Sequence, residues 1–255
     1  MIIDIDDRES IQAAMELISK GWFDPDKMYA DLKAAGKTDS SGFWGISAHM
    51  VADISCLLGC TSDEFLNEWD QRCIGNHTKF MGYHCTRHSD KRVFLEKGIL
   101  PLSEETVKLS DGSSQSVLEK SMREHRFERR PGPFFLLSYK CAKKPDNHFC
   151  LNGPEILLGC VGHHVGVDPA KSVPLIIHCA IPYSFLSPAD YFAFCVLLAY
   201  FNFLDPEDDA RDLFDGYSVD LRGKALDPKY IVRIEEIEPP YNDGVQPIAQ
   251  KKGSG

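Results

Sequence analysis

The chain has 255 residues, 43% of them hydrophobic and 26% charged, with a formal net charge of -10. That length can bury a full core as one domain, or as one domain with a helical extension. The acidic balance argues against a standing affinity for nucleic-acid phosphates or anionic membranes. The longest apolar run, Tyr191 to Leu204, is too short for a membrane span and is interrupted by Asn202. Nine cysteines, an odd number without framework spacing, predict reduced intracellular thiols and a cytoplasmic address. Met1-Ile2-Ile3 runs directly into Asp4, Asp6, Asp7 and Glu9, a pattern that predicts no signal peptide.

Residues 1–75 read as an all-helical layer. Glu9 to Lys20 sets Ile11, Met15, Leu17 and Ile18 on roughly one side. Asp24-Pro25 caps and starts a second helix that Gly36 stops. After a polar break at 37–42, Ile46 to Leu58 reads as an apolar helix with Ser47 as its cap. Thr61-Ser62-Asp63-Glu64 is a capping box that opens a fourth helix through Phe65, Leu66 and Trp69.

From about Asn76 the pattern changes to strands and short helices. Phe80, Met81 and Tyr83 predict a strand that delivers His84 and Thr86, two side chains able to hydrogen-bond a polar ligand. Ser89 to Gly98 predicts a short helix with a capping residue in front and Gly behind. Ile99 to Ser103 re-enters the core. Val117 to His125 reads as a helix with a basic end, Arg123 to Arg130. Phe134 to Tyr139 reads as a buried strand and Lys140 to Asn147 as a loop. Pro154 begins a further element, and Val173 to Tyr183 is the strongest strand in the chain. Ser187-Pro188-Ala189-Asp190 starts a helix to Leu204 that is apolar nearly all round and predicted buried. Asp205 to Asp215 is acidic, and Tyr230 to Ile237 alternates as a half-exposed last strand.

Three stretches carry a family resemblance. YHCTRHSDKRVFLEKGILPLS, beginning at Tyr83, resembles the first motif of the ADP-ribosyltransferase superfamily in its His-type members. HFCLNGPEILLG, His148 to Gly159, resembles that family's glutamate-bearing segment. VPLIIHCAIPYSFL, Val173 to Leu186, resembles the strand that follows it. The order and spacing of the three, across roughly the middle of the chain, carry the likeness.

The resemblance implies an α+β fold with a mixed, mostly antiparallel split sheet over residues 76–240. The helical region 1–75 would precede it, and a flexible tail, 241–255, would follow and end in the linker-like Gly253-Ser254-Gly255. It implies a mono-ADP-ribosyltransferase or NAD+ hydrolase of the bacterial or phage-related toxin and defence kind. NAD+ would be the substrate and no metal would be needed. Cleavage at nicotinamide passes through an oxocarbenium-like ribose, which needs a carboxylate nearby. By resemblance that carboxylate is Glu155. His84 would bond a ribose hydroxyl, and Thr86 would support the same wall. Cys85 stands where many members have Gly, and offers its backbone N–H and C=O. The aromatic that stacks on nicotinamide would be Tyr139, with Phe149 as the alternative. The acceptor would be an unidentified macromolecule, with the acidic balance favouring a protein over nucleic acid, and no membrane partner is expected. The competing class is a non-catalytic nucleotide- or partner-binding protein with the same fold.

Other constellations are weaker. Cys141, His148, Cys150, Cys160, His163 and His164 are the right residue types for zinc, with Cys85 and His88 in reach, but no CxxC pair occurs. Scattered core thiols and surface imidazoles explain them better. Cys85, Cys160 and Cys179 each have a His near in sequence, yet a nucleophile and its base normally come from distant segments. The Arg123 to Arg130 cluster could grip phosphate, but Glu119, Glu124 and Glu128 largely balance it as a solvated helix end.

Overall fold

A computed structural model describes residues 1–37, 43–101, 133–144, 172–186, 190–204, 218–221 and 223–237. Among them the fold is α+β, with seven α-helices and one six-stranded sheet. The order is β1 (Ile2–Ile3), α1 (Arg8–Ser19), α2 (Pro25–Ala34), α3 (Phe43–Leu58), α4 (Ser62–Gly75), β2 (Lys79–His88), α5 (Arg92–Lys97), β3 (Phe134–Leu136), α6 (Tyr139–Ala142), β4 (Val173–Pro182), α7 (Asp190–Leu204), β5 (Ser218–Asp220) and β6 (Ile231–Glu236).

The helix starts follow the local chemistry. Asp24 accepts the N–H groups of Asp26 and Lys27 at 3.0 and 3.1 Å, and Thr61 and Glu64 close the capping box in both directions. Such caps contribute about 1 kcal/mol each by pairing otherwise orphaned donors. No basic residue occupies the last turn of α1. Arg72 of α4 supplies the charge instead, donating to the carbonyls of Ile18 and Lys20 at 2.9 Å while its guanidinium lies over Trp22.

The strands run β5-β3-β2-β4-β6, and every pairing along that path is antiparallel. β4 pairs with all ten residues of β2, from Lys79↔Pro182 to His88↔Val173. β3 and β1 therefore share the other edge of β2, and β1 pairs there in parallel through Ile2↔Lys79 and Ile3↔Phe80.

Strand alternation gives the sheet two distinct faces. Phe80, Phe135, Ile177, Cys179 and Ile181 face the helices and join Ile11, Met15, Phe65, Trp69, Val196 and Leu197 in one continuous core. Phe80 and Phe192 meet at 5.0 Å between ring centroids. Each such fully buried side chain contributes about 1.5–3 kcal/mol. Tyr83, Ala142 and Ile176 form a second, smaller cluster on the opposite face with Met81, Cys85, Leu136 and Tyr139.

Several sequence expectations need correction. The N-terminal region is not all-helical, because Ile2–Ile3 joins the sheet. Two residues are too few to show a period in sequence, yet Ile3 is fully buried. α3 begins at Phe43, so Ser47 lies inside the helix rather than at its cap. α5 begins at Arg92, where Asp90 rather than Ser89 accepts the Arg92 N–H at 3.0 Å. The strand expected over 134–139 stops at Leu136. Ser138 then caps α6 by accepting the Cys141 N–H at 3.2 Å, and Tyr139 and Lys140 are helical. The helix Val117 to His125, the Arg123 to Arg130 cluster, the Pro154 element, the cap at 187–189, the acidic run 205–215 and the tail 241–255 lie outside the described residues. Among the described residues no helix is long and apolar enough to cross a membrane.

Candidate functional site

β2 carries the motif, and its alternation sorts the motif residues. His84 lies opposite Ile177 and Cys85 opposite Ile176, on the two different faces of the sheet. His84 and Thr86 share the first face. The His84 ring is half-buried and packs on Phe135 at 5.5 Å. Its Nδ1 lies 2.8 Å from the Phe134 carbonyl oxygen. A carbonyl only accepts, so the neutral ring carries its proton on Nδ1 and leaves a lone pair on Nε2. Burial holds His84 below the ordinary histidine range, against the pull of the Phe134 bond, so this neutral form prevails near pH 7. No described residue bonds Nε2, and none bonds the Thr86 hydroxyl two residues on. The face thus presents one fixed acceptor and one hydroxyl, separated by a single residue of strand.

Cys85 and Tyr139 stand on the other face. Cys85 Sγ reaches the Ala142 carbonyl at 3.9 Å. Tyr139, the first residue of α6, packs against Tyr83 and His178 with ring centroids 5.5 and 5.2 Å away. Its hydroxyl donates to Glu235, 2.8 and 2.9 Å from the two carboxylate oxygens. Lys143 and Arg233 lie over its ring at 5.4 and 6.0 Å. His84 and Thr86 are therefore brought together, while the side chains of Cys85 and Tyr139 are directed away from them. Glu155 and Phe149 lie outside the described residues.

The second face holds polar residues that sequence reading passed over. His178 is 5% exposed and sets Nε2 3.0 Å from Glu235 Oε2. Arg233 donates to the same oxygen at 3.2 Å, and Lys143 Nζ lies 3.7 Å from Oε1. Tyr83 donates to Asp4 Oδ2 at 2.9 Å. Burial works against charge on Glu235, but the hydrogen bonds from Tyr139 and His178, with Arg233 and Lys143 beside it, hold its carboxyl below the ordinary range. Burial lowers His178, opposed by its Glu235 bond. Burial raises Asp4 in spite of the Tyr83 bond. The available signal was His178 itself, a polar residue inside the apolar run Val173–Pro182, where a buried imidazole demands a partner.

The metal and cysteine alternatives gain little. His88 Nδ1 accepts the Asp90 N–H at 2.9 Å and its ring packs on Phe94. Cys179 and His178, adjacent in the strand, point to opposite faces, and burial pushes the Cys179 thiol well up. His148, Cys150, Cys160, His163 and His164 lie outside the described residues, and within those residues no group of three His, Cys, Asp or Glu side chains could hold a metal ion. No family model, curated protein or solved structure matches the chain.

Proposed function

We propose that the chain is a NAD+-dependent mono-ADP-ribosyltransferase that transfers ADP-ribose to a protein acceptor, or to water as a NAD+ hydrolase. A role as a toxin or defence effector of the bacterial and phage-related kind fits that chemistry. The observation that carries the reading is the fixed tautomer of His84. A neutral imidazole held at Nδ1, and bonded at Nε2 by none of the described residues, suits a ribose hydroxyl, which must donate. The Thr86 hydroxyl on the same face extends that polar edge.

In the proposed reaction the C1′–N bond of the nicotinamide ribose breaks and nicotinamide leaves with the electron pair. The Glu155 carboxylate stabilises the oxocarbenium that develops at C1′. The acceptor oxygen or nitrogen then forms the new bond to C1′, and its proton passes to Glu155 or to water. His84 and Thr86 orient the sugar without taking part in bond breaking. Phe149 takes the stacking role, since Tyr139 is committed to Glu235 on the other face. Cys85 contributes backbone groups only.

Calorimetric titration of NAD+ into the wild-type chain and into His84→Ala tests the assignment. Loss of one partner of a desolvated hydrogen bond costs about 1–3 kcal/mol, so affinity should fall by about tenfold or more. Equal affinity of the two proteins would remove His84 from the site. Tight binding by the wild type with no NAD+ turnover would favour the non-catalytic binding protein.

A further inference from the structure

The network on the second face plays no part in the proposed reaction, and it is built around a single turn of α-helix. α6 has four residues, and a helix of that length has no stability of its own because nucleation is unfavourable. Two carboxylates from distant elements hold it. Asp6, from the N-terminal segment, accepts the Ser138 hydroxyl at 2.9 and 3.1 Å and the Lys140 N–H at 3.0 Å. Glu235, from β6, accepts the Tyr139 hydroxyl. The same Glu235 accepts from His178 of β4 and Arg233 of β6, and Lys143, the C-cap of α6, lies close by. Among the described residues, Tyr83 of β2 and Asp4, joined to one another, complete the titratable and charged groups that face it.

The chemistry of this hub is one-sided. Every group bonded to Glu235 is a donor, so the carboxylate must be ionised to satisfy them. A proton on Glu235 would turn an acceptor into a donor aimed at donors. A proton on His178 would add a third cation to Arg233 and Lys143 around one carboxylate, in a site where the imidazole is almost wholly buried.

We propose that Glu235 and His178 form a proton-operated latch on α6, closed while Glu235 is ionised and His178 neutral, and opened by protonation of the pair. Burial that lowers His178 and hydrogen bonds that lower Glu235 keep the latch closed at neutral pH. The release is local, because the β2–β4 ladder is paired over ten residues without α6, and α6 gives the helix-covered core a single residue, Cys141. The latch goes beyond the transferase reading and stands without it.

Native-state amide hydrogen exchange on the full chain, corrected for intrinsic chemical exchange, tests this between about pH 7.5 and about pH 4. The reporters are the Ala142 and Lys143 amides, bonded to the Ser138 and Tyr139 carbonyls at 3.0 and 2.9 Å. The β2–β4 ladder amides report global unfolding. On acidification the Ala142 and Lys143 amides should lose about tenfold protection relative to the ladder. Glu235→Gln and Tyr139→Phe should show that low protection already at pH 7.5, with the pH dependence flattened. A helix that is merely packed would show neither the wild-type pH dependence nor its loss in the variants. Constant α6 protection across the titration, or an unchanged pH dependence in Tyr139→Phe, which removes only a hydroxyl, would overturn the latch.

Discussion

Gly98 closes the motif segment, and replacing it separates two costs that usually come together. Its backbone is at φ 75° and ψ -161°, a region essentially restricted to glycine, where any other residue costs on the order of 1–3 kcal/mol. A Cβ there would also overlap the Leu226 carbonyl oxygen and crowd Pro228 Cδ at 3.0 Å. That carbonyl accepts the Ile99 N–H at 2.9 Å, and Leu226 N–H returns a bond to Ile99 at 2.8 Å. Backbone cannot step aside as a flexible side chain can, so relief of the overlap strains both bonds, each worth about 1 kcal/mol. It also shifts Ile99 and Leu226, which are 2% and 0% exposed. Gly98→Ala should therefore cost about 4 kcal/mol in all, or about 8–16 °C in Tm for a chain of this size. Gly36 is the control. It also has positive φ, at 67°, but a Cβ there meets nothing within 4 Å, so Gly36→Ala should cost only about 1 kcal/mol. Parallel urea denaturation of the two variants gives the comparison directly. Equal losses would refute the steric argument and with it the Ile99–Leu226 bridge as a fixed point behind the motif.

The remaining predictions concern a cap and acid stability. Thr61→Ala removes the acceptor of the Glu64 N–H and one side of the capping box, and should cost about 1 kcal/mol by chemical denaturation. A loss below about 0.3 kcal/mol would mean that Glu64 alone caps α4. His84 and His178 are both held below the ordinary histidine range, chiefly by burial, so the unfolded chain binds protons more readily than the folded one. Their stabilising effect is complete above about pH 6.5 and is lost as pH falls toward their folded values, with a slope of up to about 1.4 kcal/mol per pH unit for each histidine. Denaturation midpoints that stay flat between about pH 7 and pH 5 would contradict the neutral assignment of both rings.

What sequence could reveal here depended on length and repetition. β4, the buried α7 and the capping box of α4 were legible because each presents many residues, or two coupled ones, that fit a single period. β1 was not, since two residues carry no period and Ile3 is explained only by its partner Phe80. The apolar run after Pro133 reaches Leu137, and Ser138 then caps a helix instead of extending the strand to Tyr139, a local competition that hydrophobicity alone does not weigh. The site shows the same division. His84 and Thr86 were selected together and do share a face. Cys85 and Tyr139 enter through the resemblance, Cys85 for its backbone groups and Tyr139 as an aromatic, and both side chains lie on the other face. Glu235 is not legible as a hub because its partners come from three separate parts of the chain, Tyr139 with Lys143, His178, and Arg233 in its own strand.

The central chemical assignment is tested most directly by nicotinamide release from labelled NAD+, measured for the purified wild-type chain and for Glu155→Gln, each with and without lysate. Release by the wild type, abolished in Glu155→Gln while that variant still binds NAD+ and unfolds at the wild-type midpoint, is the predicted result. Undiminished release by Glu155→Gln, or none from the wild type under any of these conditions, would contradict it.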